Sequence, residues 1–434
     1  MRVLLIFVML ACAGIAPEAQ AQAQLPATLS IEAARGLPAL LARAVPRDPQ
    51  VVAAQAAQAT AEARYRQARS RLFPTAALQA TRGRSNDLDG AIDVERRTHQ
   101  VEASVRWNVY TGGADGAELD AAGRDMAGAA FDVQRARAES AEKLAEAYFD
   151  MQRLERSLLQ SQERLRDVTQ LVQQVTRQAE LGKLSEVDRE LAQSSQLDAE
   201  LVHDGLLTDR LAAKIKLEAL AFEPVAQFAD FTFAPLPASA LENADTQQAQ
   251  LRAARERAAA ARLRVRSVAA TLAPKVDLNV SHLLNNKTTP PPSTIQQRGW
   301  SVGVSWEIPL GGGSLAQRDE SISRAQAADA DVARAEQGTR ADLASMLPRI
   351  ANAQRTLALL DEQEKKMAFV VRGGTIQYEA GRRNLQQVIQ TRDSYFTIQQ
   401  RRIDQLHRLT LAQMRLYALA GQLLPVFGLA QEQN

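Results

Sequence analysis

The sequence predicts an internally duplicated, mixed α/β chain in which amphipathic strands of membrane-barrel type continue into long coiled-coil helices. Three observations predict it. Landmarks of several residue types recur at one spacing, the hydrophobic period switches between that of a strand and that of a helix, and an export signal precedes both.

Arg2 supplies a short basic region, Val3 to Ala16 forms an apolar run, and small-residue cleavage options follow at Ala19-Gln20-Ala21 and Ala21-Gln22-Ala23. Residues 1–23 are therefore expected to be removed on export. The only cysteine, Cys12, lies inside this run. A lipoprotein would need Cys12 as its first mature residue, yet the apolar segment continues past it. Ordinary cleavage leaves no cysteine, which excludes disulfides and thiolate metal sites. Beyond the signal no apolar run approaches the ~20 residues of a spanning helix. Lys plus Arg (52) nearly balance Asp plus Glu (50), so nucleic acid is not an expected partner. Aromatic residues make up only 5% of the chain while Ala, Gln, Arg, Leu and Glu dominate long stretches. That is the composition of long helices, not of a compact enzyme core.

The repeat sets the organisation. Leu72-Phe73-Pro74 recurs as Leu272-Ala273-Pro274, 200 residues on. Trp107 returns as Trp306, Gly112-Gly113 as Gly311-Gly312, Gly182 as Gly381, and Leu217 with Leu220 as Leu416 with Leu419, each 199 residues on. The expected units are 24–221 and 245–421, separated by a linker at 222–244 and followed by a tail at 422–434.

Each unit opens with an Ala/Gln/Arg-rich helix; in the first it covers Gln50 to Leu72, with Asp48 placed as cap and Pro49 as first residue. Strands follow at about 75–83 and 99–110, and at about 275–283 and 298–309. Val101, Ala103, Val105, Trp107 and Val109 alternate with polar residues, as do Trp300, Val302, Val304, Trp306 and Ile308. The intervening loops are turn-rich, with Asp89-Gly90 in one and Pro290-Pro291-Pro292 in the other.

Helix dominates after the double glycines. Leu144, Met151, Leu158, Leu165 and Val172 repeat every seven residues, with Ala147, Leu154, Val168 and Val175 beside them. Leu343, Ile350 and Leu357 do so in the second unit, with Met346, Ala353, Leu360 and Met367. Sustained heptads mean helix-on-helix packing. Ala114 to Leu181 corresponds to about 100 Å of helix at 1.5 Å per residue. Gly182 and Gly381 interrupt the pattern, and a second helix returns, at about 185–220 in the first unit. The returning helix and the helix before Pro74 together nearly match the long one, so two short helices can lie end to end beside it.

Four amphipathic strands cannot close a barrel, which needs eight or more because an open edge is intolerable in lipid. Several chains must contribute: two give eight strands and three give twelve. All three tryptophans, Trp107, Trp300 and Trp306, fall on the apolar face of the expected strands near their ends, where membrane barrels carry interfacial belts.

The order helix–Pro–strand–loop–strand–Gly-Gly–long helix–Gly–helix, present twice, resembles the TolC-like outer-membrane factors, the exit ducts of efflux pumps and type I secretion systems. The resemblance spans essentially the whole mature chain. It implies a homotrimer with a 12-stranded outer-membrane β-barrel continuing into a 12-helix periplasmic coiled-coil tunnel, in the outer membrane of a Gram-negative bacterium. It implies a periplasmic adaptor (membrane fusion protein) as partner, and through it an inner-membrane transporter of the RND, MFS or ABC class. Contact with the adaptor falls to the hairpin tips: Gly182, Lys183, Leu184 and Ser185 in the first, Gly381, Arg382, Asn384 and Leu385 in the second. Residues Phe222 to Leu241 would join a small belt around the middle of the tunnel. Counted from the tip glycines, the family's closed entrance maps onto Asp188, Arg383 and Tyr378, each with the expected residue type. The positions that carry entrance-ringing aspartates in well-known members are here Gln387 and Gln390, which puts an anionic mouth in doubt.

Neither a catalytic constellation nor a cofactor is expected. The four histidines, His99, His203, His282 and His407, are scattered, and Gly311-Gly312-Gly313 lacks the Gly-Lys-Ser/Thr ending of a phosphate loop. Pro348 marks a kink in the second long helix, and Gly373-Gly374 a candidate hinge above its tip. Two other classes compete. A periplasmic adaptor carries one hairpin flanked by β-domains rather than two equivalent units, and a coiled-coil filament needs no period-two strands bearing every tryptophan.

Overall fold

The computed structural model describes residues 36–89, 92–225, 228–229, 231–234, 236, 248–289, 297–307 and 311–429. The expected signal peptide with Cys12, the turn glycine Gly90, residues 237–244 of the expected linker, the Pro290-Pro291-Pro292 loop, Ile308 and the end of the tail lie outside these residues.

The described elements are α1 (Leu37–Ala44), α2 (Pro49–Ser70), β1 (Thr75–Asp89), β2 (Ile92–Tyr110), α3 (Ala114–Glu180) and α4 (Glu186–Ala221). Then come α5 (Ala249–Ala270), β3 (Lys275–Thr289), β4 (Arg298–Ser305), α6 (Gly313–Glu379), α7 (Leu385–Leu419) and α8 (Leu423–Val426). From α2 onward the order occurs twice, helix–strand–strand–long helix–returning helix, so the duplication is structural. Asp48 caps α2 as its position demands, its carboxylate accepting the Gln50 N–H at 2.8 Å with Pro49 at the first helical position.

Three features differ from the sequence reading. β1, β2 and β3 run on to Asp89, back to Ile92 and on to Thr289. The polar residues read as loops continue the antiparallel ladder, because once clear of lipid a hairpin needs no apolar face. β4 stops at Ser305, short of the expected 309. Two short helices, α1 and α8, lie where no periodicity marked them, since eight and four residues are too few to display one.

The four strands form one antiparallel sheet in the order β1-β2-β3-β4, leaving β1 and β4 as edges. Pairing of Ala76 with Val105, Val105 with Val280 and Val280 with Trp300 places apolar residues in one row, and Trp107, Leu278 and Val302 make another. The rows between them are polar: Thr75, Arg106, Asn279 and Ser301 on one, Asn108, Asp277 and Gly303 on the next. The apolar face is open; Leu78, Trp300 and Val304 are each more than 70% exposed. Such a face is normally buried or set in lipid. Trp107 donates its indole N–H to the Leu72 carbonyl at 3.0 Å, and Trp306 donates to Leu272 at 2.9 Å. Each repeat thus ties a tryptophan at the base of the sheet to the chain leaving its short helix.

The helices form a layer. α2 and α4 both pack along α3, α5 and α7 both pack along α6, and α3 contacts α5 and α7. Two short helices therefore flank each long one, as the lengths required. α3 is central and buried through most of its heptads, whereas α6 is an edge helix that buries only Ala325, Thr339, Ala353 and Gly374. The seam Leu343, Ile350 and Leu357 is accordingly only half-buried. α6 passes Pro348 as one helix.

The main core sits at mid-length, where Leu41, Val51, Leu144, Phe149, Met151, Leu217 and Met414 pack with α1 and α8. The described part of the chain after α4 lies across it. The Tyr148 hydroxyl donates to the Ala229 carbonyl and accepts the Ala229 N–H, both at 2.8 Å, while Tyr417 donates to the Ala234 carbonyl at 2.8 Å. Phe231 and Phe233 stack edge-on at 5.1 Å and meet Phe149, Tyr417 and Phe427. Its described residues are held by these side-chain contacts.

Loss of the buried ring in Phe149→Ala should cost about 3–5 kcal/mol, and Tyr148→Phe, which keeps the ring and removes hydrogen bonds, about 1 kcal/mol. Denaturant unfolding of the detergent-solubilised protein checks the order; a costlier Tyr148→Phe would show that hydrogen bonding, not ring packing, holds the segment.

Candidate functional site

The two hairpin tips share one backbone solution. At the end of α3 the Gly182 N–H donates to Ala179 and the Lys183 N–H to Gln178, both at 2.9 Å. At the end of α6 the Gly381 N–H donates to Tyr378 at 2.9 Å and the Arg382 N–H to Gln377 at 2.8 Å. Both glycines have φ near +70°, the left-handed conformation that closes a helix end and favours glycine. Caps then start the returning helices. Ser185 and Asp188 form a reciprocal capping box, and the Asn384 side chain accepts the Gln387 N–H at 3.0 Å.

A small apolar cluster joins the two tips: Leu171, Val175 and Ala192 from the first hairpin meet Leu385 and Ile389 of the second, with Leu184 and Tyr378 at its margin. Lys183, Ser185, Arg382 and Asn384 are exposed around it.

The three residues assigned to a closed entrance are placed unequally. Tyr378 and Asp188 come together: burial first, and the Asp188 charge second, push the Tyr378 phenol up. The Tyr378 hydroxyl is buried without a hydrogen-bond partner. Asp188 also accepts from the Ser185 hydroxyl at 2.7 Å, so its carboxylate is held in the first turn of α4. Arg383 turns the other way. It donates to the Thr391 hydroxyl at 3.0 Å and lies on Gly374, where an added Cβ would stand 2.4 Å from its guanidinium. Among the described residues no ion pair joins Arg383 to Asp188.

At the expected hinge, Gly373-Gly374, Gly374 has a packing neighbour. The helix runs through both, and Gly374 is buried under Arg383. Glycine there lets the Arg383 guanidinium lie close against the helix.

Gln387 and Gln390 are exposed on α7. Glu186 of the other tip is paired with Arg189 one turn along. Further from the tip, Arg164 ties the hairpins together, donating to Asp198 of α4 at 2.7 Å and Asp393 of α7 at 2.9 Å, with its guanidinium 4.7 Å from the Phe396 ring centre. An arginine inside a charged heptad gives no sign in sequence that it bridges three helices.

The fold has known counterparts. A protein-family model for outer membrane efflux proteins matches residues 40–221 and again 240–422. The chain belongs to the outer membrane efflux protein family. No curated protein matches it by sequence. Among solved structures it is similar to the outer-membrane channel OprN, with a TM-score of 0.80 and 18% identity over 89% of this chain and 90% of that one. It is also similar to CusC, with a TM-score of 0.79 and 16% identity over 89% and 92%. The Vibrio cholerae outer membrane protein VceC gives 0.79 and 18% over 89% and 96%. As an efflux-family protein it resides in the outer membrane, its helical part extending into the periplasm. The family consists of channels, not enzymes, and the tips are the periplasmic end of this one.

Gly374→Ala should preserve or slightly raise helicity, because alanine is about 1 kcal/mol better than glycine in a helix. It should also lift Arg383 off its seat, read as faster tryptic cleavage after Arg383. Unchanged cleavage would mean that the guanidinium finds a second resting place.

Proposed function

We propose that this protein is the outer-membrane channel of a tripartite efflux pump or type I secretion system. It would passively conduct substrates delivered by an inner-membrane transporter through a periplasmic adaptor docked on the hairpin tips.

One observation carries the reading: the chain ends laterally in two unpartnered edges that complement each other. β1 and β4 are open strand edges. Below them α4 exposes Leu197, Leu201, Leu211 and Ile215, and α6 exposes Leu359, Phe369 and Ile376. These helices run antiparallel, and their apolar residues stand at matching heights. Phe369 is ten residues from the end of α6 at Glu379, and Leu197 eleven from the start of α4 at Glu186. A second copy of the chain satisfies strand edge and helix seam in one contact; the contact is head-to-tail, and a sheet set in lipid tolerates no open edge, so the copies close into a ring. Three copies give 12 strands and 12 helical columns, each end-to-end pair of short helices counting as one column.

Within that ring Asp188, Tyr378 and Arg383 act as the latch of the entrance, the Asp188 charge bearing on the unpaired Tyr378 hydroxyl while Arg383 rests on its own hairpin. Gln387 and Gln390 line the mouth. Amides hydrogen-bond a passing solute but supply no net field, whereas rings of carboxylates would attract cations strongly.

Chemical cross-linking of the purified protein should stop at three subunits, and Leu201→Arg in the α4 seam should abolish the ladder. A monodisperse monomer with a stable β-sheet spectrum would sink the proposal.

In planar bilayers the channel should show weak cation preference and little block by trivalent cations from the periplasmic side. Gln387→Asp with Gln390→Asp should install both, and Arg383→Ser with Tyr378→Phe should raise conductance. Strong selectivity in the unmodified channel would show that other acids line the mouth, Glu186 first among them.

A further inference from the structure

The apolar face of the sheet ends abruptly in cations. Along β1 it runs Ala76, Leu78, Ala80 and then Arg82; along β2 it runs Val105, Ala103, Val101 and then His99. On β4 it runs Val304, Val302, Trp300 and then Arg298. Arg82 pairs with His99 and His99 with Lys287, so the three share one row. Arg84 and Arg97 share the row beyond. Lys287 reaches this face because Leu284 is an extra residue: Glu102 pairs with Leu283 but Val101 with Asn285. On β2 the outward Arg97 and His99 are exposed and the inward Thr98 and Gln100 are half-buried.

The boundary is not parallel to the pairing rows. Arg298 pairs with His282, His282 with Ala103 and Ala103 with Leu78, which puts Arg298 four residues below Arg82 across three strand spacings. With ~3.3 Å per residue and ~4.8 Å between strands, a line through the two cations crosses the strands at about 40° from the pairing direction. Membrane barrels tilt their strands by about 35–45°. Arg82, His99 and Lys287 share the upper row, while on β3 and β4 the apolar run already ends lower, at His282 and Arg298, so the step descends across the sheet in the manner of a membrane surface cutting tilted strands.

We infer that Arg82, His99, Lys287 and Arg298 form a rim that binds the phosphate groups of the phosphorylated glycolipid in the outer leaflet. The strands continue past this row to Asp89 and Thr289, which places the rim at the level of headgroups rather than at a loop tip. Cations on long stems can lie along the apolar surface below and present their charge at the headgroups. The inference rests on the outward face meeting lipid, as the proposed channel requires; ring closure repeats the rim in every copy.

The test is native mass spectrometry of the full mature protein in detergent with bis-phosphorylated lipid A, its dephosphorylated form, and inorganic phosphate as competitor. Lipid A should be retained at least about tenfold over the dephosphorylated glycolipid, and millimolar inorganic phosphate should not displace it. Arg82→Gln with Lys287→Gln and Arg298→Gln should lose the preference while keeping the oligomer. Equal retention of the two glycolipids, an undiminished preference in the triple variant, or full displacement by phosphate would each overturn the rim. Subunit number is read from the same spectra, so a monomer that still selects lipid A would overturn the channel assembly and leave the rim standing.

Discussion

A strand edge cannot face hydrocarbon, because each unpaired N–H and C=O there costs several kcal/mol and no water is present to satisfy it. β1 and β4 carry such edges on a sheet whose outer face is apolar. In a protein of the outer membrane this constraint governs everything below the sheet. In the proposed channel, whatever closes the strand edges must also sit beside α4 and α6, since the helices descend from the same strands. The exposed apolar positions on those two helices are consistent with that demand rather than a separate feature to be explained.

The junction transmits the constraint. A flat helical layer could swing freely below a barrel if the connections were flexible, but each repeat fixes them twice. Trp107 and Trp306 bond the carbonyls of Leu72 and Leu272 where the short helices end. Gly113 and Gly312 start the long helices in left-handed conformations, with φ of 88° and 72°. Gly112 packs so closely on Ala270 and Ala273 that a Cβ would stand 2.6 Å and 2.5 Å from them. Strand tilt is thereby carried into helix tilt, which a coiled tunnel wall needs.

Much of this was legible from residues. The fixed offset between Trp107 and Trp306, or Gly182 and Gly381, reveals a duplication because junctions and tips tolerate few residue types. The heptad through Leu144, Met151 and Leu158 and the period-two run through Val105 and Trp107 reveal helix and strand because burial repeats with backbone geometry. Illegible were features that depend on who sits opposite. The extent of β1 and β3 beyond the lipid is set by backbone pairing between polar residues, which leaves no apolar pattern. That Arg383 rests on Gly374 has no mark in the sequence. Arg164 reads as a surface charge until Asp198 and Asp393 converge on it. The α1 and α8 helices are too short for a period, and packing on the mid-length core alone defines them.

The two repeats have equal elements but unequal surroundings, and the inequality bears on motion. α3 is gripped from both sides within its own chain, by α2 and α4 and by α5 and α7. α6 has chain-internal neighbours on one side only. The second hairpin therefore depends more on contacts from outside the chain, and its attachment to the first narrows toward the tip to Arg164, the Arg392 bond to the Asp167 carbonyl, and the Leu385–Ile389 contact with Leu171 and Val175. Local opening proceeds where contacts are fewest and solvent-exposed. If the entrance opens by separating hairpins, α6 and α7 are the pair with less to lose, and the polar bridge at Arg164 marks the level below which they part. A residue seated on its own hairpin, as Arg383 is, can then travel with the moving part, while Asp188, held by its capping box, stays with the fixed one.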